Sequence, residues 1–414
     1  MTYQESEYVQ STVPKGMYDL NVGQPSPQLL PLELLYSVDQ THIQDPTFLQ
    51  YATEQGYLSF RRELATFLSV ETGDRVTADE LLITAGNSSA IHLIGTKIAA
   101  SHPTRPLALV ESPTYQWAVK VLEVCGFEIR KIPVDQDGIV VEEIERLLVE
   151  EEVRPALVFT IPSHQNPMGV SLHAERRQKL IQLADSYDFY ILADEAYQLL
   201  SFPETQTDSA LATEDTTERG VVFTIGTFSK IFAPAIRLGW VQAPPRLIQW
   251  LVEHPLLVSG GGMNSVMAGW IEPLLKSGAM RTYLKELRQE LFLRYQHLSR
   301  GVAEHLPEVQ VITKPSGGYY VWCQLPDQQD SSALYELATQ KYKVSFRPGT
   351  KCNTSPDYLR LCFAYHTPAE IDKAIELLAL AYEDYAKSRS GAKVGAVREP
   401  PLPKTALTPQ PPSP

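Results

Sequence analysis

The 414-residue sequence is poor in cysteine, short of basic charge and without any long apolar run. Its four cysteines, Cys125, Cys323, Cys352 and Cys362, lie far apart and lack the spacing of a metal site or a disulfide framework. They read as reduced thiols of a cytoplasmic protein, and nothing around them marks a catalytic cysteine. Lysine and arginine number 36 against 49 acidic residues, a formal net charge of −13. That balance argues against a nucleic-acid or anionic-membrane partner. No apolar stretch approaches the length needed to cross a bilayer. Met1-Thr2-Tyr3-Gln4-Glu5 has neither the basic start nor the apolar core of a signal peptide. No Gly-x-Gly-x-x-Gly opens a helix, which disfavours a nicotinamide enzyme. Internal repeats are absent. No metal is expected.

What is present is an alternation of apolar runs and amphipathic stretches. Strands are expected at Leu107–Val110, Phe127–Ile132, Ala156–Thr160, Phe189–Ala193 and Val221–Ile225. Helices are expected at Leu32–Gln40, Leu58–Val70, from Thr114, and at Leu172–Tyr187. Such alternation is the signature of an α/β fold with a mostly parallel sheet covered by helices. A long helix from Met280 to Leu306 leads to a second unit, with strands at Tyr319–Gln324 and Leu359–Ala364 and a last helix at Pro368–Tyr385. With 414 residues the chain is long enough for two domains. The expected division is an arm and part of the small domain over 1–40, a large domain over 41–285, a small C-terminal domain over 286–387, and a disordered proline-rich tail over 388–414.

The strand ends carry the chemistry. After Val221–Gly226 comes Thr227-Phe228-Ser229-Lys230-Ile231-Phe232-Ala233-Pro234-Ala235-Ile236-Arg237. A lone lysine among small and hydroxyl residues is placed to lose water and lower its pKa, which makes it a nucleophile toward an aldehyde. The hydroxyls and the arginine suit a phosphate monoester. Together they suggest a Schiff base with pyridoxal phosphate. Asp194 closes another buried strand, at the sheet edge where open α/β folds bind ligands. A helix N-cap is the plainer use of such an aspartate. Asn166 follows a third strand in an Asn-Pro turn, and its amide can donate to a ring oxygen. In Leu81–Ala90, a strand, the glycine turn at Gly86 and a helix start at Asn87 and Ser88 offer backbone N–H groups to a phosphate.

These ordered motifs, spread from about Asn21 to about Tyr385, resemble the class I/II pyridoxal-phosphate aminotransferases of fold type I, nearest the 2-aminoadipate or multi-substrate branch. The resemblance implies a large domain with a seven-stranded-type sheet and a smaller α+β C-terminal domain. It implies that Lys230 binds the cofactor and carries a proton from the substrate Cα. Asp194 would face the pyridine nitrogen, Tyr197 and Asn166 the ring oxygen, and Tyr115 the ring face. Gly86, Asn87, Ser88, Thr227, Ser229 and Arg237 would form the phosphate cup. Ser88 and Ser89 stand where the family commonly has two longer amides. Tyr51 resembles the tyrosine that reaches the phosphate of a neighbouring subunit, which implies a homodimer. Arg360 resembles the arginine that forks onto the substrate α-carboxylate, although a strand arginine can also serve a structural ion pair. Gly23 resembles a glycine lining the substrate pocket, and Ser316-Gly317-Gly318-Tyr319-Tyr320 a strand near its entrance. The expected reaction moves the amino group of an L-α-amino acid to a 2-oxo acid, 2-oxoglutarate or pyruvate, by a ping-pong route. A lyase of the same fold remains the alternative. A transcription regulator built on this fold would carry a winged helix ahead of Asn21, for which the sequence leaves no room.

Overall fold

The computed structural model describes residues 13–38, 46–102 and 104–394. The chain enters with a two-residue strand, β1 (Tyr18–Asp19). Strands β2 (Leu81–Thr84), β3 (Leu107–Ser112), β4 (Glu128–Asp135), β5 (Gly138–Ile139), β6 (Leu157–Thr160), β7 (Tyr190–Asp194), β8 (Val222–Thr227) and β9 (Gly239–Gln242) then build one sheet. Its order is β2-β9-β8-β7-β6-β3-β4-β5. The pairs β7–β8, β6–β7, β3–β6 and β3–β4 are parallel. Only β9 and the short β5 run against their neighbours. The sheet therefore has one strand more than the seven expected, because β5 folds back on the end of β4.

The period-two alternation of these strands assigns each side chain to a face. Ala108, Val110, Leu157, Phe159, Leu192 and Phe223 point into one apolar cluster with Phe60, Leu64 and Leu93. Leu109, Val158, Ile191 and Val222 point into another, with Ile144, Leu147, Leu180 and Leu183. Helices Leu58–Thr72 and Asn87–Ala100 contribute to the first layer, Val141–Val149 and Ala174–Ser186 to the second. Burial on both faces explains why the parallel strands read as continuous apolar runs.

The helix Ala279–His305 leads into the C-terminal part. There β10 (Gln310–Val311), β11 (Tyr320–Gln324), β12 (Val344–Ser345), β13 (Arg347–Pro348) and β14 (Tyr358–Cys362) follow. Four of them form an antiparallel sheet of order β10-β11-β14-β13, while β12 pairs in parallel with β1. The N-terminal segment thus docks on the C-terminal unit, against which the helix Pro368–Val394 also packs. That last helix continues through Ser388–Val394, where a tail was expected; alanine, lysine and arginine in this stretch are good helix formers. The remainder of the expected tail lies outside the described residues. The first helix is shorter than expected, Leu32–Tyr36.

Candidate active site

The site grows from three neighbouring strand ends. Gly239, at the start of β9, pairs with Thr84 of β2 on one side and Thr227 of β8 on the other. A Cβ at Gly239 would lie 2.7 Å from the Gly226 carbonyl and 2.9 Å from Gly86 Cα, so only glycine permits this approach. Gly86, with φ +84°, turns the chain from β2 into the helix Asn87–Ala100. Arg237 is held in the left-handed region (φ 47°), a conformation a non-glycine residue adopts at a cost. The Asn264 amide donates to the carbonyls of both Ile236 and Arg237 and so supports it. The Arg237 guanidinium donates to Ser229 Oγ at 3.2 Å and to the Ala85 carbonyl at 3.3 Å. Thr227 Oγ1 accepts from the Ser229 amide at 3.1 Å. Hydroxyls, a guanidinium and a helix N-terminus thus converge at one point. Ser88 is exposed and contributes its backbone rather than a buried side chain.

Lys230 leaves the end of β8 and reaches across to the N-terminal segment, where its amine donates to the Gly23 carbonyl at 2.7 Å. The amine lies 5.8 Å and 5.7 Å from the ring centroids of Tyr197 and Tyr319. Burial lowers its pKa to about 8. Asp194, at the end of β7, is 5% exposed, and burial raises its pKa to about 6. The Asn87 amide donates to its Oδ1 at 2.5 Å, and the backbone N–H of Ala196 and the charge of Lys230 also favour its ionised form. Each charged form is strained by lost solvent. A cation beside Asp194 would relieve it, as would an anion near Lys230.

A second group lies on the C-terminal sheet. Arg360 of β14 is 5% exposed and stacks over the Tyr320 ring at 4.1 Å. It donates to Asn166 Oδ1 at 2.8 Å and to the Asn21 carbonyl at 2.6 Å. Its buried Nε has no partner among the described residues. The acceptor end of the Asn166 amide is therefore spent on Arg360, and its donor end faces away. Tyr197 Oη pairs with Tyr320 Oη at 3.1 Å. A Cβ on Gly23 would sit 2.3 Å from Tyr320 Oη. Tyr115 starts the helix Gln116–Val124 and is 36% exposed; Asp194 and Arg237 act on its hydroxyl electrostatically.

The structure thus brings Lys230, Asp194, Tyr197, Asn166, Gly23, Gly86, Asn87, Thr227, Ser229, Arg237, Tyr115 and Arg360 around one cleft between the two sheets. Tyr51 is not among them: it is 85% exposed on the surface of this chain. Several residues that complete the cleft had no role of their own assigned from the sequence, although Tyr319 and Tyr320 lie in the Ser316–Tyr320 strand expected near the pocket entrance. Tyr320 supports Arg360, and Tyr319 donates from its hydroxyl to the Lys230 carbonyl at 2.9 Å. Glu111, at the end of β3, is buried and accepts from Thr160 Oγ1 (2.5 Å), the Ile161 amide (2.9 Å) and Gln165 Nε2 (3.1 Å). It braces the turn that carries Asn166. An acid inside an apolar strand was the available signal.

This fold and this lysine–aspartate–arginine arrangement define a pyridoxal-phosphate-type transferase, with an anion cup, a buried amine and an acid beside the small antiparallel sheet. Residues 15–378 match the family described as aminotransferase class I and II, and the chain belongs to that family. It is 29% identical over 367 residues to aromatic-amino-acid aminotransferase 1 of Thermococcus litoralis, covering 86% of each chain. The kynurenine aminotransferase of Pyrococcus horikoshii, solved with PMP, superposes with a TM-score of 0.80 at 28% identity, over 90% of this chain and 92% of that one. The α-aminoadipate aminotransferase of Thermus thermophilus, complexed with N-(5′-phosphopyridoxyl)-L-leucine, gives 0.78 at 25% identity, over 92% and 96%. Pyridoxal 5′-phosphate is the cofactor, and the donor set fits it: the Gly86 cradle leaves no room for a Cβ beside Arg237, and the Asn87 Oδ1 beside Asp194 is buried without a partner among the described residues. Among the described residues no helix is long and apolar enough to cross a membrane, and no cluster suits a metal ion.

Proposed function

We propose that the protein transfers the amino group of an L-α-amino acid to a 2-oxo acid, 2-oxoglutarate or pyruvate, in two half-reactions at one site. The observation that carries this reading is Arg360. It is buried, pre-stacked on Tyr320 and oriented by Asn166 and Asn21, and it makes no ion pair among the described residues. A structural arginine would have a carboxylate; this one has a spare Nε for a ligand's. Bound pyridoxal phosphate supplies a sink for the negative charge that develops at the substrate Cα. The protein's residues do the rest. Gly86, Asn87, Ser88, Thr227, Ser229 and Arg237 hold the phosphate. Asp194 keeps the ring nitrogen protonated. Tyr115 lies against the ring, and Tyr197 with the donor end of Asn166 serves its oxygen. Lys230, whose amine is neutral for much of the time near pH 8, moves the Cα proton. Arg360 grips the α-carboxylate and so fixes the Cα–H bond against the ring. Gly23 leaves the pocket wall open.

A homodimer belongs to this reading. Tyr51 would serve the partner's phosphate cup, and Tyr36, Leu49 and Val258 are also exposed, at 80%, 73% and 61%. A cytoplasmic setting agrees with four free, buried cysteines.

The test is a panel of aromatic, branched and acidic amino donors against 2-oxoglutarate and pyruvate, with wild type and Lys230→Ala. Product should form only when an oxo acid is present. In the variant, turnover should be lost and borohydride should fail to fix the cofactor to the peptide. Amino-acid breakdown without an oxo acid would overturn the reading in favour of a lyase.

A further inference from the structure

The glycine pair Gly317-Gly318, just ahead of Tyr319 and Tyr320, packs on a histidine that the reaction does not use. Three segments meet there. The turn that follows β6 carries His164 two residues before Asn166. The short 3-10 helix Gln198–Leu200 follows Tyr197. Residues 316–318 lead toward β11. The last two are joined by the Gly318 N–H to the Leu200 carbonyl (3.0 Å), the Phe202 N–H to the Ser316 carbonyl (2.8 Å) and a β-bridge between Ser201 and Gly317. His164 is 2% exposed and lies against this seam. A Cβ on Gly317 would sit 2.5 Å from His164 Nε2, and one on Gly318 2.7 Å from His164 Cβ, so the close approach requires both glycines. His164 itself has a left-handed backbone (φ 50°), where histidine is one of the few side chains enriched besides glycine.

Its Nε2 lies 3.1 Å from Ser201 Oγ. The single Ser201 hydroxyl proton is directed to the Gln198 carbonyl at 3.4 Å, so the oxygen accepts and the ring proton sits on Nε2. Nδ1 is buried without a partner among the described residues, which agrees with a bare nitrogen there. Burial, helped by the charge of Arg288, lowers the ring's pKa to about 4 and keeps it neutral at ordinary pH.

We propose that His164 is a positioning residue: its ring holds the Asn166 turn and the Tyr319-Tyr320 strand in one register, and through them Lys230 and Arg360. The links onward are short. Tyr319 Oη donates to the Lys230 carbonyl at 2.9 Å. Tyr320 lies against Arg360 at 4.1 Å and shares a hydrogen bond with Tyr197 at 3.1 Å. Asn166 Oδ1 accepts from Arg360 at 2.8 Å. Arg360 is therefore held from both sheets, by Tyr320 on one side and Asn166 on the other. His164 stands where the segments bearing those two residues touch, and its hydrogen bond to Ser201 fixes the ring's orientation between them.

The effect on turnover rests on the transaminase reading, so binding is measured first, without turnover. Holoenzyme is titrated with 4-methylpentanoate, a monocarboxylate for Arg360 to grip, and followed by the cofactor's absorbance. His164→Asn suits the left-handed backbone but is too short to reach Ser201. Its affinity for the carboxylate should fall about tenfold. The pH midpoint of the cofactor's own absorbance change should rise by about half a unit or more, because Asn166 then serves the ring oxygen less well. His164→Gln, whose amide reaches as far as Nε2, should recover part of both. A residue that only fills space would lower the urea midpoint and leave both readouts unchanged, and that result overturns the proposal. If His164→Asn does not fold, Ser201→Ala, which removes only the ring's partner, should give smaller shifts of the same sign; unchanged values there overturn the proposal equally. Both shifts in a folded protein that turns over amino acids without an oxo acid leave His164 standing and overturn the transaminase.

Discussion

Gly23 and Tyr320 offer a sharp quantitative test of the cleft's packing. A Cβ on residue 23 would lie 2.3 Å from Tyr320 Oη but 3.4 Å from Cζ, so the clash is with the hydroxyl alone. Relief requires a shift of about 1 Å to reach ordinary contact. Tyr320 has little freedom to give: it is 2% exposed, its ring meets Tyr197 edge-on at 5.7 Å, and Arg360 lies over it at 4.1 Å. The backbone of residues 21–23 is tied as well, through Arg360 to the Asn21 carbonyl and Lys230 to the Gly23 carbonyl. Gly23→Ala should therefore destabilise the cofactor-free protein by about 1–3 kcal/mol, the usual cost of overpacking a filled site. Tyr320→Phe alone should cost about 1–2 kcal/mol, because the buried Tyr197 hydroxyl loses its partner. The double variant should cost little more than Tyr320→Phe, since the offending oxygen is gone. The cycle then yields a coupling of about 1–3 kcal/mol in favour of the double variant. Urea denaturation of the four proteins measures it, and KM for the amino donor in Gly23→Ala should rise as Tyr320 drags on Arg360. Additivity within about 0.5 kcal/mol would refute the packing argument.

Other expectations concern charge. Asp194→Asn should lower kcat by about two to four orders of magnitude while the urea midpoint moves little, since an amide oxygen can still accept from Asn87; near-normal turnover would reduce Asp194 to a helix-start device. For Lys230, burial lowers the pKa from 10.5 to about 8, so between those values the unfolded chain binds more protons than the folded one. Stability from this residue is therefore low below about pH 8 and rises toward pH 10.5. Cofactor-free Lys230→Met should be more stable than wild type at pH 7, with the gap narrowing as pH rises; a gap independent of pH would contradict the buried-amine assignment.

Legibility in the sequence followed physical type. Buried parallel strands announced themselves as apolar runs, and their ends delivered Asn166, Asp194 and Lys230, because a polar residue that closes such a run stands at the sheet edge. β9 was missed: it is four residues long, begins with glycine and runs antiparallel, so neither length nor alternation marks it. Tyr320 and Glu111 lay inside motifs that were noticed, but their partners, Arg360, Tyr197 and the Asn166 turn, come from distant segments. The overrun of the last helix past Ser388 reflects a polar composition that signals solvent as readily as disorder.

The meeting of β2, β8 and β9 at Gly239 has a consequence for how such an enzyme changes over time. Everything that would hold the phosphate and the amine hangs from three adjacent strand ends, locked by one glycine's hydrogen-bonded neighbours. The group that would read the substrate, Arg360, hangs from a different sheet, joined to the first by its side-chain contact to Asn166. Substitutions in the second sheet can therefore retune which molecule is accepted while the chemical machinery stays in register. One half of the molecule is free to explore diets, because the other half keeps the reaction constant.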